Sequence, residues 1–129
     1  MEILKSKWFE RFARKERIKD VSLREAVSRA ERGQIDADLG GGVIKQRIAR
    51  PGQGKSKGYR TVILFRHAER AVFIYGFPKS QRANIGADEV EQFKEAARHV
   101  SSLTSKQVAE LVARADFVEV KANEQEISE

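Results

Sequence analysis

The chain contains no cysteine, and among its 129 residues there are only two prolines and two histidines. Without cysteine there is no disulfide to staple the fold, no thiolate to hold a metal and no thiol nucleophile, so a packed core has to suffice. No segment approaches the roughly 20 apolar residues of a membrane-spanning helix. The opening residues, MEILKSKWFERFARKER, lack the uninterrupted apolar run of a secretory signal. A cytoplasmic protein that makes no membrane contact is the resulting expectation. Acidic residues are also missing from one long block. Residues 39–68 carry Lys45, Arg47, Arg50, Lys55, Lys57, Arg60 and Arg66 with neither Asp nor Glu among them, a block charge of +7 against +6 for the whole chain. A polyanion would feel such a field before making any contact, and nucleic acid is the expected partner.

With 40% hydrophobic and 34% charged residues, the length suits one domain, expected over residues 1–115, followed by an acidic tail over 116–129. Ser6 can cap a helix that places Trp8, Phe9 and Phe12 on one side, and Ser22 with Glu25 forms a capping box ahead of Leu23, Ala26, Val27 and Ala30. Two N-terminal helices are expected. Residues 35–39 suit a short edge strand, and residues 43–50 alternate, with Ile44 and Ile48 on one face and Lys45 and Arg47 on the other. Proline and three glycines between residues 51 and 58 predict a basic loop, and two strands should follow at residues 59–66 and 71–77. Helical spacing returns through Val90, Phe93, Ala97 and Val100, and Thr104 with Gln107 caps a further helix. The class is α+β, with a curved antiparallel sheet of three or four strands and a C-terminal helix or helices.

Residues 49–56, ARPGQGKS, imitate a phosphate-binding loop, but the Lys-Ser pair there leads into a strand rather than opening a helix. His67 and His99 fall in unrelated contexts, and the acids have no spacing that calls for a metal cluster, so no cofactor or metal is expected. The cationic set carries the chemistry. Cleavage of RNA through its own 2′-hydroxyl needs a base, an acid and positive charge around the strained phosphate. A lysine can move the protons if permanently charged arginines lower its pKa, which makes Lys45 and Lys79 the proton-transfer candidates; Arg47 and Arg60 are suited to holding phosphate. Arg50, Lys55, Lys57 and Arg82 are further RNA-binding candidates, and Tyr75 and Phe77 are the rings placed to stack a base. A plain phosphate-binding surface uses the same charges without proton transfer.

Residues 44–61, IKQRIARPGQGKSKGYRT, followed by residues 74–85, IYGFPKSQRANI, resemble toxins of the RelE/HigB type from bacterial toxin-antitoxin pairs, part of the RelE/ParE superfamily. The resemblance implies a microbial-ribonuclease-like fold and an mRNA endoribonuclease that arrests growth by cutting messages in the ribosomal A site without a metal. It also implies silencing by a cognate antitoxin, of helix-turn-helix type. The phosphate-contacting arginine of the family falls on Arg60, the basic strand residues on Lys45 and Arg47, and the later basic catalytic position on Lys79. Where some relatives carry a tyrosine this chain has Ile85. A non-enzymatic RNA-binding module or a gyrase-binding ParE-like toxin stays open as the alternative.

Overall fold

The computed structural model describes residues 1–50 and 54–121, and for residues 54–56 the backbone alone. A first strand, β1 (Glu2–Ser6), runs directly into α1 (Lys7–Glu16). Ser6 caps that helix by accepting a hydrogen bond from the Phe9 amide, and Arg17 ends it in the left-handed region at φ 59°. The second helix, α2, is Asp20–Glu31. It opens two residues before the capping box expected at Ser22, because Lys19 is already extended and the Asp20 carboxylate accepts from the Lys5 ammonium and the Lys121 amide.

The sheet follows as β2 (Ala37–Gly40), β3 (Val43–Arg50), β4 (Gly54–Arg66) and β5 (Arg70–Pro78), an antiparallel meander at the upper end of the expected three or four strands. Gly40, Gly41 and Gly42 all have positive φ and turn β2 into β3. After α3 (Ala87–Ser101) and α4 (Ser105–Ala113), a short β6 (Phe117–Glu119) is the last regular element among the described residues. The strand order is β2-β3-β4-β5-β1-β6, with β1 parallel to β5 and β6 antiparallel to β1. Among the described residues the sheet therefore has six strands, two beyond the upper end of the expected three or four, and its last strand lies past residue 115 in the segment assigned to the acidic tail. The basic loop is also shorter than expected. β4 starts at Gly54, and a shift of register between Ile48 and Arg50 absorbs the surplus residues, so only residues 51–53, outside the described set, separate the two strands.

Both faces of the sheet are covered. On one, Phe9, Ala13, Leu23, Ala26, Val27 and Ala30 from α1 and α2 pack on Ile44, Ile48, Tyr59, Ile63, Ala71 and Phe73. Within this layer lies a fully buried amide, Gln46. It donates to the carbonyls of Ala26 and Gln34 and accepts from the Asp36 amide at 2.7 Å, so its polar atoms are satisfied by backbone. On the other face, Ala97 of α3 and Val108 of α4 cover Leu4, Val43, Val62, Leu64 and Val72. Further along that second face, towards the β3–β4 connection, the apolar layer gives way to Lys45, Arg47 and Arg60.

Candidate functional site

Strand register decides which cations meet. Arg47 of β3 lies opposite Arg60 of β4, which lies opposite Phe77 of β5; two residues along, Lys45 lies opposite Val62 and Val62 opposite Tyr75. Residues directly opposite in a pleated sheet share a face, so Lys45, Arg47 and Arg60 form one cationic floor, edged by Tyr75 and Phe77. Lys79 joins it from the turn after β5, where its amide donates to the Gly58 carbonyl at 3.0 Å.

The charges perturb one another. Burial lowers the Lys45 pKa from the ordinary lysine value, and the positive charges of Arg60 and Lys79 lower it further. Burial and then Arg47 likewise lower Arg60, which is only 8% exposed. Lysine is the residue that can release its proton under such pressure; arginine stays charged. One acid reaches this region from just outside the acid-free block. Asp36 accepts from the Arg47 amide at 2.7 Å and from its guanidinium at 3.1 Å, and Arg29 approaches at 3.4 Å. Burial alone would raise the Asp36 carboxyl, yet the contacts to Arg47 and Arg29 hold it below the usual carboxylate range. Arg47 is thus anchored to the frame while its side chain stays 45% exposed.

The other nucleic-acid candidates divide. Arg82 spends four of its five N–H donors within the protein: two on Glu89 at 2.6 and 3.1 Å, one on the Tyr75 hydroxyl at 3.1 Å and one on the Asn84 carbonyl at 2.9 Å. Its guanidinium also lies over the Phe77 ring, 5.1 Å from the centroid. Phe77 is buried beneath it, and Tyr75 is packed between Trp8 at 4.9 Å and Phe93 at 5.7 Å. These rings brace the edge of the floor rather than presenting open faces to a base. Arg50 belongs to the opposite face, where it lies over Tyr59 at 5.5 Å, and Tyr59 packs in the layer under α1 and α2. Lys57 is exposed on β4, and the Lys55 side chain lies outside the described residues. Ile85 packs in the apolar layer beneath α3.

Sequence reasoning passed over Asp36, Asn84 and Glu89. Asn84 accepts a hydrogen bond from Lys45 Nζ at 2.7 Å, and Glu89 ties Arg82 to α3. Neither pairing has a sequence signature, because each depends on how the connection from β5 to α3 folds back over the sheet.

The Glu89 contact has a measurable consequence. The Arg82 guanidinium, with help from the Gly86 amide, holds the Glu89 carboxyl at about 2, against 4.5 for an ordinary glutamate. A carboxyl whose pKa falls on folding stabilises the fold above its unfolded pKa, and that stabilisation is lost as pH drops through its folded one. The tie between Arg82 and Glu89 should therefore stabilise the fold fully at neutral pH, that stabilisation should fall away as pH drops from about 4.5 to about 2, and the tie itself should open near the lower value. Carboxyl 13C NMR of Glu89 should show a midpoint near 2; a midpoint near 4.5 would mean that the tie is open in solution.

The family model described as the RelE toxin of the RelE / RelB toxin-antitoxin system matches residues 1–120. No curated protein matches the chain significantly.

Proposed function

The chain belongs to the RelE toxin family, and from that premise we propose that it is an endoribonuclease that cuts messenger RNA on translating ribosomes and so arrests growth. As a toxin of a toxin-antitoxin system it has a cognate antitoxin as its partner; our reading adds that this antitoxin is of the helix-turn-helix type. The observation that carries the nuclease reading is the convergence of Lys45, Arg47 and Arg60 on one sheet face, with Lys79 close enough to depress the Lys45 pKa.

In this reading Arg47 and Arg60 hold the scissile phosphate and neutralise the charge that grows on its oxygens. Lys45, as free amine, takes the proton of the neighbouring 2′-hydroxyl. The 2′-oxygen then bonds to phosphorus, the bond from phosphorus to the 5′-oxygen breaks, and Lys79 protonates that leaving oxygen. The products are a 2′,3′-cyclic phosphate and a 5′-hydroxyl, and no step calls on a metal. The two lysines share the work that a tyrosine assists in relatives where this chain has Ile85.

Controlled expression should stop growth within a few generations, and primer extension should reveal new 5′ ends inside translated messages. Arrest without such ends would overturn cleavage as the activity, and altered DNA supercoiling in their place would point to a gyrase-directed toxin. Lys79→Ala should leave the fold intact and lower cleavage by about 10²-fold, the usual size of a lost general acid.

A further inference from the structure

Asn84 lies in the irregular connection between β5 and α3, and this connection is fastened to its surroundings at several points. Arg82 binds Glu89 and the Tyr75 hydroxyl, and donates from Nε to the Asn84 carbonyl at 2.9 Å. Glu89 in turn accepts from the Gly86 amide at 2.9 Å, at the start of α3. The Asn84 side-chain oxygen is held by the Ile85 amide at 2.9 Å, and to that same oxygen Lys45 Nζ donates at 2.7 Å. We propose that Asn84 is a positioning residue for Lys45: its neutral carbonyl oxygen aims the lysine nitrogen across the floor without placing a negative charge beside it.

The choice of a neutral acceptor matters because of what surrounds Lys45. Arg47 stands on the same strand as Lys45, Arg60 on β4, Tyr75 on β5, Lys79 just after β5, and Arg82 and Glu89 in the connection from β5 and on α3. Two acids lie in this neighbourhood among the described residues. Asp36 is taken up by Arg47 and Arg29, and Glu89 by Arg82. A carboxylate at position 84 would instead pair with the ammonium and favour its protonated form. An amide oxygen orients one N–H and leaves the field of the neighbouring cations unopposed. Burial, Arg60 and Lys79 already favour the free amine, and Asn84 preserves that bias.

The proposal rests on the nuclease reading for the use made of Lys45, so the test reads the lysine itself as well as the enzyme. Side-chain 13C NMR of Lys45 in the full chain, with cleavage rates across pH, would be compared for wild type, Asn84→Asp and Asn84→Ala. Asn84→Asp is isosteric and can still accept from both Lys45 and the Ile85 amide, so it should fold. It should raise the Lys45 midpoint by about one unit and move the rising limb of the cleavage profile upward equally, about a tenfold loss below both midpoints. Asn84→Ala should lower the maximal rate about tenfold while moving the midpoint far less. An unchanged Lys45 midpoint in Asn84→Asp overturns the proposal, as does a wild-type rate in Asn84→Ala. If the midpoint moves while the wild-type chain cuts no RNA, the positioning stands and the nuclease reading falls.

Discussion

Replacing Arg60 by alanine should reduce cleavage by about 10²- to 10³-fold, the scale on which one preorganised oxyanion donor contributes, and should relieve growth arrest on expression. The size follows from position. Arg60 lies opposite Arg47 in the ladder, is 8% exposed, and supplies a charge that lowers the Lys45 pKa. On the nuclease reading the variant therefore loses twice: the proposed contact to the phosphate disappears, and the lysine regains basicity. With Arg60 gone the Lys45 midpoint moves up, so the rising limb of the pH profile should shift to higher pH as well as falling in height. Arg60→Lys keeps the charge but loses the planar fork, and should recover the pH position better than the rate. Cleavage assays on both variants, with circular dichroism confirming the fold, separate these effects. Undiminished toxicity in Arg60→Ala would remove this residue from the site.

Gly58→Ala should destabilise the protein by more than about 3 kcal/mol, a large share of the 5–15 kcal/mol typical of a domain. An alanine Cβ there would run into the Ile48 carbonyl oxygen and lie 2.9 Å from the Arg50 nitrogen and 3.1 Å from the Ala49 carbonyl carbon. All three are backbone atoms in the paired strand, so no side chain can swing aside. The Gly58 carbonyl also receives the Lys79 amide, and Arg60 is two residues on, so parting β3 from β4 here would scatter the floor together with the hairpin. Gly86→Ala is the control, because its Cβ would meet the Glu89 Oε1 atom at 3.7 Å, an ordinary contact. Urea unfolding of the two variants should differ several-fold in free-energy loss; equal losses would contradict the described register of the hairpin.

The floor was legible in the sequence because it rides on a strand of plain alternation. Residues 43–50 put Ile44 and Ile48 on one side and Lys45 and Arg47 on the other, and β3 has those bounds. The alternation carries through to Arg50: counted with the RNA-binding residues for its charge, it has the parity of Ile44 and Ile48 and lies across Tyr59 under α1. Arg82 was counted the same way from its charge, while its partner Glu89 is seven residues later on a helix and is brought in by the turn between them. Tyr75 and Phe77 do lie beside the basic turn, but the rings of Trp8 and Phe93 that enclose Tyr75 come from distant helices that no local pattern ties to it. The short strands β1 and β6 hold five and three residues, too few to announce a period, and their pairing is settled by contacts across most of the chain.

That last pairing bears on the order of synthesis. Leu4 has Val72 on one side and Glu119 on the other, so the first strand made waits for one of the last described segments before both its edges are filled. A contact between such distant positions closes late, after the local hairpins have formed. Until β6 has been translated, β1 carries an unfilled backbone edge, and the sheet is completed only once that segment has emerged.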